Sequence, residues 1–130
     1  MFSSVPSLLA LSILLGLVHV LVAGALVTRS RGIAWNIGNR DGESPPLPPH
    51  AARAQRAAAN VLETFPFFAA AVVAALAMQR TGSQVELGAQ FYFWARLAYL
   101  PIYIIGIPVV RSLVWGVSLV GILMVVFALF

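Results

Sequence analysis

The residues best suited to chemistry in this sequence are polar and charged side chains inside apolar stretches. Arg56, Asn60 and Glu63 follow one another at intervals of four and three residues. On an α-helix this spacing places the three side chains on one face over about two turns. Guanidinium and amide groups in such an arrangement can hold an anionic ligand through forked hydrogen bonds.

A second series, Arg96, Tyr99 and Tyr103, has one-face spacing in the next apolar stretch. Counting about 1.5 Å per residue from the predicted helix ends places Glu63 and Arg96 at comparable depth. The sequence therefore predicts an ion pair between them, and two readings stay open. The pair could serve only to lock helix packing, or it could belong to a functional site, which is the default for ionisable groups at membrane depth.

The other candidate residues narrow the kinds of chemistry that the chain could perform. The two polar series predict a polar cavity between their helices, and Arg111 is predicted to close its cytoplasmic end. His19 has no second ligand at metal-binding spacing, so we predict a packed histidine and no metal site. Ser12, Ser112 and Ser118 lack a nearby general base, which argues against nucleophilic catalysis by the protein. The chain has no cysteine, so sulfur chemistry would require a sulfur atom supplied by a ligand.

Composition decides which kind of element must position these residues. Of 130 residues, 61% are hydrophobic and only 9% are charged, whereas soluble domains are about a quarter charged. One membrane span needs roughly 20 apolar residues, and the chain holds enough for four. These figures exclude a soluble enzyme, a disordered chain and a nucleic-acid-binding protein. They predict an all-α membrane protein with four transmembrane helices in a single domain, residues 1–130.

The predicted spans cover residues 5–27, 54–79, 87–107 and 109–130, and a proline-rich loop covers residues 28–53. The first span has no basic residues before it, so we expect a retained helix rather than a cleaved signal. Arginines concentrate on the side of the long loop, which predicts a cytoplasmic loop with both termini outside. The arginines on the loop side are Arg29, Arg31, Arg40, Arg53, Arg56 and Arg111, against Arg80 on the other.

The two polar series together resemble a known family. Arg56-Ala57-x-x-Asn60-x-x-Glu63-x-x-Pro66, followed by Arg96-x-x-Tyr99-x-x-x-Tyr103, is similar to the MAPEG family, the membrane-associated proteins in eicosanoid and glutathione metabolism. The resemblance covers residues 5–130 and is nearest in character to short bacterial members, which implies a location in a bacterial inner membrane. It implies a four-helix bundle assembled as a homotrimer, with glutathione as co-substrate bound between neighbouring subunits near the cytoplasmic face.

The resemblance also implies roles for particular residues. Arg111 would be catalytic, since a nearby guanidinium lowers the pKa of a thiol and a helix start adds a favourable dipole. The second substrate would be a lipophilic electrophile that reaches the site from the bilayer. The implied glutathione contacts are Arg56, Asn60, Glu63, Arg96, Tyr99, Tyr103 and Ser112.

Two functions from different classes remain open on the sequence. The first is a glutathione-dependent transferase or peroxidase acting on lipophilic electrophiles. The second is a non-catalytic membrane module that binds a lipid headgroup or a partner protein, because arginine clusters attract anionic lipid. A transporter or channel is less favoured, since the chain lacks the inverted halves typical of such folds. Residues 34–49 have no counterpart in the eukaryotic synthases of the family, so eicosanoid synthesis is not expected.

Overall fold

Four long helices and one short helix make up the fold. The computed structural model describes residues 4–130, and these form α1 (Val5–Arg31), α2 (Ile33–Ile37), α3 (Pro49–Ala77), α4 (Ser83–Ile105) and α5 (Pro108–Phe127). Three of the helices, α1, α3 and α5, are long and apolar enough to cross a membrane. The 23 residues of α4 span about 34 Å, which exceeds the roughly 30 Å of a bilayer core. The all-α membrane class is thus confirmed.

The helices extend further into the long loop than the sequence analysis predicted. The first helix continues four residues past Val27 and ends where Gly32 adopts a φ of 93°. The five-residue helix α2 follows within the predicted loop. Pro49, the last residue of the proline run, is the first residue of α3, because a proline at this position has a preset φ and needs no amide partner. The run therefore starts a helix as well as ending the irregular segment.

The two central helices are α3 and α4. They contact each other, α1 contacts both of them, and α5 contacts both of them as well. Within residues 4–130, α1 and α5 do not contact each other. The polar series of α3 and α4 therefore lie on the two helices at the centre of the bundle.

A pair of glycines permits the most extensive contact in the bundle, between α4 and α5. A Cβ atom added at Gly121 would lie 2.5 Å from the Gly88 carbonyl oxygen and 2.8 Å from the Tyr92 amide nitrogen. Small residues allow helix backbones to approach closely, and such contacts drive association where lipid removes the hydrophobic force between helices. This contact fixes α5, which carries Arg111, against α4, which carries Arg96.

Hydrogen bonds tie the helices together at both ends of the bundle. At one end, Arg53 Nε on α3 donates to the Ile104 carbonyl near the end of α4 at 2.9 Å. At the other end, Arg80 Nη1 donates to the Leu129 carbonyl at 2.7 Å, and Gln84 Nε2 near the start of α4 donates to the Met124 carbonyl at 2.9 Å. The fourth helix therefore runs the full length of the bundle.

Candidate functional site

Arg96 lies at the centre of a polar network between α3 and α4. Its side chain is 0% exposed. Nη1 donates to Asn60 Oδ1 at 2.8 Å and Nη2 donates to Thr64 Oγ1 at 2.6 Å. The guanidinium carbon also lies 4.8 Å from the centroid of the Tyr99 ring, within the range of a cation–π interaction. Neutral oxygens and an aromatic face therefore stabilise this buried charge.

The predicted ion pair between Glu63 and Arg96 is not formed in the single chain. Asn60 and Thr64, one turn apart on α3, are the residues that meet Arg96. Glu63 precedes Thr64 by one position, which is about 100° around the helix, and its side chain is exposed. Thr64 was missed in the sequence, although its position four residues after Asn60 places it on the same face of the helix.

Tyr103 lies between two arginines at the end of the bundle that holds the long loop. Arg56 Nε donates to the Tyr103 hydroxyl at 3.2 Å. The guanidinium carbon of Arg111 lies 4.8 Å from the centroid of the Tyr103 ring. Tyr103 also meets Tyr99 edge to face, with ring centroids 5.4 Å apart. The aromatic pair thus connects the arginines at the end of the bundle with the buried Arg96 network.

Two cavities adjoin Arg111. One, of about 200 Å³, is lined by Arg53, Arg56, Tyr103 and Arg111 and by the turn of residues 106–108. The other, of about 210 Å³, is lined by Asn60, Tyr99, Arg111, Ser112 and Trp115. We call them the arginine cavity and the tyrosine cavity, respectively. Because Arg111 lines both cavities, a ligand that occupies both of them would lie next to the Arg111 guanidinium group.

The predicted site residues divide into three groups. Six of them line the two cavities, namely Arg56, Asn60, Tyr99, Tyr103, Arg111 and Ser112. Arg96 lines neither cavity and instead contacts Asn60 and Tyr99, which line the tyrosine cavity. Glu63 lies on the outside of the bundle. The structure therefore brings most of the predicted residues together and changes the position expected for two.

Besides the turn of residues 106–108, sequence reasoning missed two residues that line the cavities, Arg53 and Trp115. Arg53 lies three residues before Arg56, and Trp115 lies four residues after Arg111, so helical spacing from the known candidates could have found both. Arg53 bonds to a carbonyl in the last turn of α4, where a cation also complements the helix dipole. Its guanidinium carbon would lie 3.2 Å from a Cβ atom added at Gly106. Arg53 therefore holds the turn that leads into α5 and Arg111.

The arrangement is suited to holding an anion. Three guanidinium groups, those of Arg53, Arg56 and Arg111, line the arginine cavity, and none of its lining residues is acidic. Fixed guanidinium groups recognise carboxylates through paired hydrogen bonds.

A comparison with protein-family profiles matches residues 8–130 to the MAPEG family. The chain belongs to the MAPEG family. The matched residues include all four long helices apart from the first turn of α1, and they include both cavities. MAPEG proteins are membrane proteins generally associated with glutathione-dependent transferase and peroxidase activity. No curated protein matches the sequence at a significant level.

Proposed function

We propose that this MAPEG protein is an integral membrane glutathione-dependent transferase or peroxidase that acts on lipophilic electrophiles. The observation that carries the proposal is the position of Arg111, whose side chain lines both the arginine cavity and the tyrosine cavity. A tripeptide with carboxylates at its ends and a thiol between them can fill both cavities while its sulfur passes the guanidinium. The positive charge then favours the thiolate over the thiol.

The chemistry divides between the two cavities. Arg53 and Arg56 bind the glutathione carboxylates, while Arg111 and Ser112 face the sulfur. The thiol proton leaves to water, and the thiolate sulfur attacks an electrophilic carbon, so that a carbon–sulfur bond forms as the leaving group departs with its electron pair. With a hydroperoxide as the electrophile, the thiolate attacks oxygen and the oxygen–oxygen bond breaks. A second glutathione then reduces the resulting sulfenic acid to give the disulfide and water.

Arg96 has a supporting role in this proposal. It is fully buried, and it contacts Asn60 and Tyr99, which line the tyrosine cavity, without lining that cavity itself. Arg96 therefore acts by orienting these two side chains, and direct contact with glutathione is left to the residues that line the cavities.

We further propose that the protein assembles as a homotrimer with its termini outside a bacterial inner membrane and its long loop in the cytoplasm. Glu63 supports self-association, because its side chain is exposed on the single chain about 10 Å further along α3 than Arg56. An ionisable group at membrane depth is costly unless protein or water covers it. A neighbouring copy would provide that cover.

Ligand-induced thermal stabilisation of the detergent-purified protein tests the proposal. Glutathione and S-hexylglutathione are each titrated beside an unrelated acidic tripeptide. A ligand that binds only the folded state raises the melting temperature with concentration, so both glutathione ligands should raise it and the control peptide should not. The Arg111→Ala variant should lose turnover of a lipophilic aryl halide and lose the thiolate absorbance of bound glutathione. Arg40→Ala, which removes an equal charge from the exposed loop, should retain both.

Two results would contradict the proposal. One is the absence of any shift in a protein shown to be folded. The other is turnover that survives in Arg111→Ala at the level of Arg40→Ala. Either result, together with a partner protein that copurifies in stoichiometric amount, would favour the non-catalytic membrane module instead.

A further inference from the structure

A groove of about 840 Å³ lies away from Arg111, where α1 ends and α2 begins. Its walls include Leu21 and Ala25 of α1 and Ile33 of α2. Leu21 and Ile33 are each 69% exposed, whereas His19, on the core face of α1, is 0% exposed. The groove therefore lies on the outer face of a membrane-spanning helix.

Two glycines shape this groove. Gly24 lines it, and a Cβ atom added there would meet no other atom within 4 Å. Gly32 has a φ of 93°, a conformation that glycine adopts without strain, and it joins the end of α1 to α2. The first glycine leaves the groove open, and the second allows α2 to form its end wall.

The length of the groove corresponds to one leaflet of a bilayer. Along α1 it runs from Val20 to Arg29, which is about 13 Å at 1.5 Å per residue. One leaflet of a bilayer core is about 15 Å thick. The volume also falls within the range of roughly 300–1,000 Å³ that is typical of ligand sites.

The two ends of the groove differ in chemistry. The deeper end, toward Val20, is apolar, whereas Thr28, Arg29 and Asn36 line the end near α2. The Arg29 side chain is exposed. A guanidinium group at the membrane surface attracts a phosphate group and can donate paired hydrogen bonds to its oxygens. The groove thus has a cation at the membrane surface, where a phospholipid has its phosphate. Below the cation it has apolar walls about as long as one leaflet, where the lipid has its acyl chain.

We propose that this groove binds one anionic phospholipid, with its phosphate at Arg29 and an acyl chain along Leu21, Gly24 and Ala25. The site is separate from the cavities at Arg111, and the proposal does not depend on thiol chemistry. It also gives a role to the segment around α2, which the family resemblance left unexplained.

Quenching of Trp35 by brominated lipid tests this site. Trp35 lies on α2, and a variant with Trp94→Phe and Trp115→Phe makes it the only tryptophan. The full chain is reconstituted in vesicles of phosphatidylcholine and phosphatidylglycerol, with brominated chains on one lipid at a time. Each arginine near a membrane surface changes anionic lipid binding by about fivefold. We therefore expect a preference of about fivefold for phosphatidylglycerol in the parent protein.

Matched variants separate the groove from general surface charge. Arg29→Gln should abolish the preference, whereas Arg31→Gln, which removes an equal charge that bonds to the Pro45 carbonyl outside the groove, should retain it. Gly24→Leu should reduce quenching by either lipid, because it adds a bulky side chain to the groove at a position where a Cβ atom has open space around it. Ala10→Leu, at an exposed position nearer the start of α1, should leave quenching unchanged.

Three results would overturn the proposal. The first is equal quenching by the two lipids in the parent protein, and the second is an equal loss of preference in Arg29→Gln and Arg31→Gln. The third concerns a second copy of the chain as the occupant. Because the chain has no cysteine, Ala25→Cys introduces a single thiol. Efficient cross-linking between copies at this thiol in native membranes would show that the groove is an interface between subunits.

Discussion

Two glycines five residues apart on α5 should respond in opposite ways to replacement by alanine. A Cβ atom at Gly121 would lie 2.5 Å from the Gly88 carbonyl oxygen and 2.8 Å from the Tyr92 amide nitrogen. A Cβ atom at Gly116 would meet no other atom within 4 Å. Gly121→Ala must therefore push α5 away from α4, whereas Gly116→Ala adds a methyl group to open space.

The magnitude follows from two opposing effects. Alanine is more favourable than glycine in a helix interior by at most about 1 kcal/mol, and both variants share this gain. Overpacking typically costs about 1–3 kcal/mol. Since both close atoms at Gly121 belong to the backbone, no side chain can rotate to relieve the contact. We expect Gly121→Ala to lower the free energy of unfolding by about 1–2 kcal/mol and Gly116→Ala to leave it unchanged or slightly raised.

Unfolding in mixed micelles, titrated with a denaturing detergent and followed by tryptophan fluorescence, measures the difference. Gly88→Ala approaches the same contact from α4, where its Cβ atom would lie 2.7 Å from the Gly121 carbonyl oxygen, so it should destabilise as well. If Gly121→Ala and Gly116→Ala unfolded at the same detergent fraction, close backbone packing would not be what holds α5 on α4.

Two further substitutions test the supports of the site in the same micelle titration. Arg96→Met should cost about 1–3 kcal/mol because it removes the donor to Asn60 Oδ1, and adding Asn60→Leu should recover part of that loss. Equal stability of the single and double variants would contradict this account. Gly106→Ala should cost about 1–2 kcal/mol, since a φ of 93° is unfavourable for alanine, and should weaken S-hexylglutathione binding through the contact with Arg53. An unchanged dissociation constant would refute that link to Arg53.

The membrane class and the helices α1, α3 and α5 could be predicted because hydropathy reports them directly. The short helix α2 could not, because five residues are too few for a hydrophobic period to emerge. The start of α3 was placed too late because the proline run indicates irregular structure, whereas its last member, Pro49, begins the helix. A proline can begin a helix or follow the end of one. Packing against neighbouring helices decides which of the two occurs.

Packing that the sequence pattern does not report also decides which side chains meet at the candidate site. At 100° per residue, Arg56, Asn60 and Glu63 fall within an arc of about 60°, with Asn60 at one edge and Glu63 at the other. The spacing correctly put Asn60 on a face that meets the polar series of α4, but it could not say toward which edge α4 would lie. The fourth helix lies toward Asn60, so Thr64 meets Arg96 and Glu63 is left outside. A sequence pattern fixes which side chains share a face, while the rotation of that face is set by the packing of the helices.

The distribution of charge in this bundle argues for a ligand at the Arg111 end. Arg96 is fully buried, yet Asn60, Thr64 and Tyr99 stabilise it without a carboxylate. Within residues 4–130, the guanidinium groups that line the arginine cavity have only a tyrosine hydroxyl and a main-chain carbonyl as protein acceptors. Like charges held together repel one another, and a cavity lined by one sign of charge concentrates the opposite sign. A chain that pairs its deepest cation with neutral groups and leaves the outer guanidinium groups facing a shared cavity has the electrostatics expected of an anion-binding site.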